Sequence, residues 1–263
     1  MPPEYEILAV RYGVFNSTRG EHFYRYGAYG LPDGDLLMDY FFWVIRDDRS
    51  TILVDTGYHP RAIESRPGRE CLIPPVDALR RLDIEPEAVS DVIVTHLHFD
   101  HIGNLDAFPR ARFTVQQAEM DFWTGPYGVK RAPAASVEAS EISFLVAAVQ
   151  DGRVVCVRGG VEVVPGIKVR QVPGHCPGQQ IVIVDGERPR VLTSDALHFY
   201  EEMERDMPYE VFTDLVGMYD TYEVLRELEG RHDAVIVAGH DPDVMARFEA
   251  LSGGARGLAV RIG

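Results

Sequence analysis

Residues 91–104 read DVIVTHLHFDHIGN, an apolar run suited to a buried strand that breaks into His96, His98, Asp100 and His101 within six positions. The chain holds nine histidines in 263 residues, and three of them stand here. In an extended segment alternate side chains point the same way, so His96 and His98 can grip one ion together. Asp100 and His101 follow where the chain turns toward Gly103, in reach of a second. Three crowded imidazoles would repel one another if protonated and would add little to packing. Neutral imidazole and carboxylate, however, are the usual ligands of zinc and related divalent ions.

The same pattern, an apolar strand ending in an imidazole or a carboxylate, recurs downstream. His175 closes IKVRQVPG, Asp195 closes RVLTS, and His240 closes DAVIVAG. Strand ends are where α/β folds place their sites, because the strand holds the backbone while the end loop faces solvent. Seven such side chains exceed what one tetrahedral ion can use, so two divalent ions are implied. Zinc is the first expectation. Iron, manganese and cobalt accept the same nitrogen and oxygen donors.

Around these ends, β-rich runs alternate with helical patterns. Strands are expected in YEILAVRYGVF, DYFFWVIRD, STILVDTG, DVIVTH, RFTVQ, VVCVRG, VEVVPGIKVRQVPG, QIVIVDG, RVLTSD and AVIVAGH; helices are expected over 76–82, 116–124, 140–149 and 213–228. The fold class is therefore α/β. No Gly-, Ser- or Pro-rich tract divides the chain, so residues 1–263 form one domain. Strand endings echo between the halves (ILVDTG with VLTSDA, VIVTH with VIVAGH), as two similar β-rich halves facing each other would produce.

Bulk properties remove several function classes. With 41 acidic against 26 basic residues and a net charge of -15, the chain would repel a phosphate backbone, and nucleic acid is not an expected partner. No apolar run reaches the ~20 residues of a membrane helix, and the opening MPPEYEILAV lacks the parts of a secretory signal. Cys71, Cys156 and Cys176 are odd in number and widely spaced, which fits reduced thiols. A cytoplasmic protein without a membrane partner is expected.

The string THLHFDH, followed in order by PGH, SDA and AGH and preceded by ILVDTG, resembles the signature of the metallo-β-lactamase superfamily. That resemblance implies a four-layer αβ/βα sandwich, with two mixed β-sheets flanked by helices and the metals at one edge between the sheets. It also implies a division of labour: His96, His98 and His175 on one ion, Asp100, His101 and His240 on the other, and Asp195 between them. Within the superfamily, Asp195 stands where the best-known β-lactamases have Cys, and His98 where flavodiiron oxidoreductases have Glu. The ligand order and the stretch DALHFYEEMERDMP resemble the N-acyl homoserine lactonases most. Hydrolysis of a lactone, a small-molecule substrate, is thus expected; another cyclic ester, an amide or a thioester, or iron-dependent oxidation on the same scaffold, are the alternatives.

One departure stands out: those lactonases carry Tyr three positions after the bridging Asp, and this chain has His198. An imidazole there can donate to a developing oxyanion or protonate a leaving alkoxide, or else sit behind the ligands as a packed residue. Asp100 and His198 are the expected catalytic residues. Phe15, Phe199 and Tyr200 are candidate substrate contacts. The aromatic segment 15–29 suits a loop over a cleft, a homodimer contact or ordinary core, and residues 124–136, rich in Gly and Pro, suit a lid.

Overall fold

The computed structural model describes residues 4–263 and builds them into two mixed sheets. From edge to edge the larger sheet runs Glu249–Ala250, Ala259–Arg261, Glu6–Thr18, Asp35–Arg46, Thr51–Val54, Val89–Ile93, Arg112–Gln116 and Val154–Val157. Arg69–Cys71 pairs with the distal end of Glu6–Thr18. The smaller sheet runs Val235–Val237, Arg190–Leu192, Gln180–Val184, Ile167–Gln171 and Gly160–Val164. Strands Thr51–Val54, Val89–Ile93, Arg112–Gln116 and Val154–Val157 are parallel, as are Arg190–Leu192 and Val235–Val237; the remaining pairs are antiparallel.

Alternation along the long strands assigns the layers. Tyr40, Phe42 and Val44 share one apolar cluster with Leu79, Trp123 and Leu145, which come from helices Pro75–Arg81, Gln117–Trp123 and Ala139–Gln150. Phe41, Trp43 and Ile45, on the opposite face, join Val169, Val191 and Val237 of the smaller sheet. Both faces are buried, and residues 38–45 accordingly read as a continuous run without polar alternation, apart from Asp39. Helix Leu215–His232 covers the far side of the smaller sheet through Met218, Tyr222 and Leu225. The order is helix, sheet, sheet, helix, as expected.

The four expected helices are present with ends shifted by one to four residues, and VEVVPGIKVRQVPG resolves into the hairpin of Gly160–Val164 and Ile167–Gln171. The short strands at 69–71, 249–250 and 259–261 were not expected from the sequence. No helix among the described residues is long and apolar enough to cross a membrane.

Candidate metal centre

The ends of Thr51–Val54 and Val89–Ile93 in one sheet, and of Ile167–Gln171, Arg190–Leu192 and Val235–Val237 in the other, meet along one edge of the sandwich. This convergence brings together all seven side chains singled out above. His96, His98 and His175 have ligand atoms within 4.8 Å of one another, and so do Asp100, His101 and His240; Asp195 falls in range of His96 and His101 on one side and of His175 and His198 on the other. All are buried.

Asp195 is the hub. Its Oδ1 lies 2.9 Å from His240 Nε2 and 3.0 Å from His101 Nε2, while its Oδ2 lies 3.1 Å from His198 Nε2, 3.2 Å from His175 Nε2 and 3.6 Å from His96 Nε2. The outer ring nitrogens decide what those distances mean. His175 Nδ1–H donates to the Val211 carbonyl at 2.9 Å and His240 Nδ1–H to the Asp39 carbonyl at 2.8 Å. A neutral imidazole that donates from Nδ1 presents a lone pair at Nε2. Lone pairs aimed at a carboxylate oxygen from about 3 Å repel it unless cations lie among them. His96 Nε2 and His101 Nε2 are moreover buried without a hydrogen-bond partner among the described residues. The residues fit two cations.

Titration tendencies divide the imidazoles of the cluster. Burial, together with neighbouring imidazoles, pushes His96 and His98 well below the usual histidine range, and burial lowers His175. For His101 burial works against the charged form, yet Asp195, Asp100 and Asp55 outweigh it and hold the pKa well above the usual range. Asp195 is the mirror case: burial opposes its charge, and the surrounding imidazoles hold its carboxyl well below the usual range.

Outer partners fix each ring. Asp55, at the end of ILVDTG, adopts a left-handed backbone (φ 62°) that swings its carboxylate back under the site. Its Oδ2 accepts from His101 Nδ1 and from Thr95 Oγ1, each at 2.7 Å, and its Oδ1 accepts from the Thr95 amide at 2.8 Å. His98 turns the other way round: Nδ1 faces His175 Nε2 at 3.0 Å, and Nε2 meets Cys176 Sγ at 3.4 Å. Burial and the charge of Glu119 push the Cys176 thiol well up, so it backs the His98 ring as a neutral thiol. Gly239 lets the last strand end close on this layer, since a Cβ there would come within 2.3 Å of the Ser194 carbonyl oxygen.

Two buried carboxylates and one tyrosine escape notice in the sequence. Glu119 accepts from the Leu97 amide (3.0 Å), the Gly178 amide (2.8 Å) and Trp123 Nε1 (2.6 Å), tying the loop after Ile93 to the loop after Gln171. Glu202 accepts from the amides of His198 (2.7 Å) and Phe199 (2.8 Å) and from the Tyr222 hydroxyl (2.7 Å). An acidic residue inside an otherwise apolar helical face is the only local signal for either. Tyr209 stacks on His198 with ring centroids 3.7 Å apart and lines the cavity above the cluster.

That cavity, about 210 Å³, is walled by Asp100, His98, His175 and Asp195 at its base and by Tyr40, Arg69, Phe99 and Tyr209 above. Ala135 and Ser136 form part of its rim, and the Phe99 amide donates to the Ser136 carbonyl at 2.9 Å, so the end of segment 124–136 does border the cleft. His198 is fully buried and reaches Asp195 from beneath Tyr209, without lining the cavity. Burial opposes its charge, but Asp195 and Glu202 lift its pKa to about 9.

The candidate substrate contacts do not gather here. Phe199 and Tyr200 line a separate open groove, because the Tyr200 amide is drawn to Asp241 Oδ2 (3.0 Å) and its hydroxyl to the Ile236 carbonyl (3.3 Å). Phe15 backs the Arg69 guanidinium at 4.2 Å and is not itself in the wall. Of segment 15–29, Phe23 and Tyr26 are core, and His22 packs between Phe15, Phe199 and Tyr209.

A sandwich of this order with such a cluster at its sheet edge defines a metallohydrolase fold. The model of the metallo-beta-lactamase superfamily matches residues 39–240, and the chain belongs to that superfamily. Among curated relatives, an N-acyl homoserine lactonase from a Bacillus species is 27% identical over 229 residues, covering 80% of this chain and 85% of the relative. The N-acyl homoserine lactonase AttM of Agrobacterium fabrum is 30% identical over 181 residues, 66% of each chain. A solved quorum-quenching N-acyl homoserine lactone lactonase shares the fold with a TM-score of 0.75 at 23% identity, covering 92% of this chain and 95% of its own.

Proposed function

We propose that this chain is a dinuclear metal-dependent hydrolase that opens a lactone ring, most similar in kind to the N-acyl homoserine lactonases. The observation that carries it is the set of imidazole nitrogens directed at Asp195 at the floor of a cavity, in a chain whose curated relatives are lactonases. In this reading His96, His98 and His175 would hold one ion and Asp100, His101 and His240 the other, with Asp195 in reach of both groups. Zinc suits the nitrogen and oxygen donors.

When bound, the two ions supply an acidified water at neutral pH and polarise a carbonyl oxygen. The chain's own residues do the rest. Asp100, at the cavity floor, orients the attacking water, takes up its proton and returns it to the ring oxygen as the C–O bond breaks. Tyr209 stays a phenol, because burial first, and then Tyr40, Asp195 and Asp100, raise its pKa well above the usual value. In this reading its hydroxyl donates to the oxygen that gains charge as the ring opens. His198 is a positioning residue: Nε2 holds Asp195 while Glu202 lies 3.2 Å from Nδ1. No serine or cysteine needs to form an acyl intermediate. The three free thiols, unpaired among the described residues, suit a reducing compartment such as the cytoplasm.

Elemental analysis of zinc-loaded protein, combined with a screen of lactones, thioesters, β-lactams and phosphodiesters, tests this function. About two ions per chain with lactones turned over fastest is the expected result; one ion or none, or a lactone rate no higher than that with free zinc, would overturn it.

A further inference from the structure

Above its metal-binding floor, the cavity wall carries positive charge and, among the described residues, no carboxylate: Arg66 and Arg69 are the only described charged side chains in it apart from Asp100, His98, His175 and Asp195. On a chain of net charge -15, this is the opposite of what the surface average would place there. The two arginines are not equivalent. Arg66 is consumed, since its Nη1 pairs with Glu138 at 2.5 Å and its Nη2 donates to the Ala135 carbonyl.

Arg69 has no carboxylate partner among the described residues, yet it is held firmly. Its Nε donates to the Tyr40 hydroxyl at 2.9 Å, its guanidinium lies 4.2 Å from the Phe15 ring centroid and 5.8 Å from that of Phe99, and its backbone pairs with Phe15 in the sheet. Among the described residues, only a long contact from Nη1 to the Pro67 carbonyl, 3.5 Å, occupies the outer edge of the fork. Tyr40 in turn packs edge-on against His240 with centroids 5.3 Å apart, so the cation stands one side chain away from the cluster. Immobilising a guanidinium on two aromatic rings and a phenol removes much of the entropy cost of using it.

We propose that the substrate of this site carries a carboxylate set back from the bond that is cleaved, and that Arg69 receives it. The outward edge of the guanidinium matches a carboxylate in two parallel N–H···O bonds. Arg69 is then the specificity-determining residue, favouring a lactone with an anionic side arm over one with a plain alkyl arm. The inference rests on the cavity being the substrate site; it does not require a particular ring.

The test uses zinc-loaded protein and two ring-opened ligands, N-succinyl-L-homoserine and its isostere bearing a terminal carboxamide, titrated calorimetrically at low salt. Wild type should bind the succinyl compound about 10- to 100-fold more tightly, the worth of a charge-assisted hydrogen-bonded pair. Arg69→Gln should abolish that preference, leaving the affinity for the carboxamide and the zinc content unchanged. Arg69→Lys, which keeps the charge but not the fork, should retain part of the preference. Equal affinities in wild type overturn the proposal without recourse to any variant, and so does an Arg69→Gln protein that loses affinity for both ligands alike. Turnover of the two parent lactones is followed in parallel. A binding preference with no ring opening would sink the lactone function alone, whereas ring opening without preference would sink the role of Arg69 alone.

Discussion

His22 offers a test of the packing behind the site that does not depend on metal. The ring is fully buried, with Phe15, Phe199 and Tyr209 at centroid distances of 5.5, 5.2 and 5.8 Å, and neither ring nitrogen has a partner among the described residues. Burial first, and then the charges of His198 and His240, lower its pKa from 6.5 to about 4. The folded state therefore keeps a neutral ring where the unfolded chain takes up a proton. Stability from this group is fully present above the unfolded value and is lost as pH falls from about 6.5 toward about 4. The full gap corresponds to about 3 kcal/mol, and about 2 kcal/mol is already lost at about pH 5. His22→Phe keeps an aromatic ring in the same pocket and removes the titration. Urea unfolding of chelator-treated wild type and variant at about pH 7.5 and about pH 5 should show the variant gaining about 2 kcal/mol on wild type over that interval. Because the other titrating groups are common to both proteins, they cancel in the difference. A gap that does not change with pH would refute the account.

Four further outcomes are expected at the site itself. Asp195→Ala removes the hub of the imidazole cluster and should bring metal content well below two per chain, checked by elemental analysis after gel filtration. Asp55→Asn leaves the His101 ring without its carboxylate partner and should weaken metal affinity about 10- to 100-fold, read by competition with a chromogenic chelator. Tyr209→Phe should lower kcat by about 10²–10³ with metal content intact, whereas His198→Ala should lower metal affinity and leave turnover per bound metal pair nearly unchanged; the reverse pattern would move the donor role back to His198.

The candidate metal ligands were legible because each stands in a short local context, an apolar strand followed within a few residues by His or Asp. Position relative to a strand end is a local property, and strand ends on one edge converge by topology. The cavity wall was not legible in the same way. Phe199 and Tyr200 adjoin His198 in sequence, but the chain enters the helix Tyr200–Arg205 there and turns their side chains into another groove. Tyr209 reaches the site by stacking on His198, and Glu119 by accepting from the amides of Leu97 and Gly178, 22 and 59 residues away in sequence. Arg69 belongs to a three-residue strand with no apolar signature, which exists because the long strand Glu6–Thr18 offers it a partner. Such residues are recruited by tertiary packing, and no window of sequence announces them.

The seven proposed ligands come from both sheets: His96, His98, Asp100 and His101 follow a strand of the larger one, and His175, Asp195 and His240 follow strands of the smaller. Ions held among them are therefore a clasp across the seam of the sandwich as well as reagents. Any free energy with which the folded chain binds them is added to the free energy that keeps the two sheets together. The catalytic equipment and the mechanical integrity of the enzyme would thus share one supply. A cell starved of the metal would lose the protein by unfolding and proteolysis as well as by idling, and the amount of enzyme, as much as its rate, would follow metal availability.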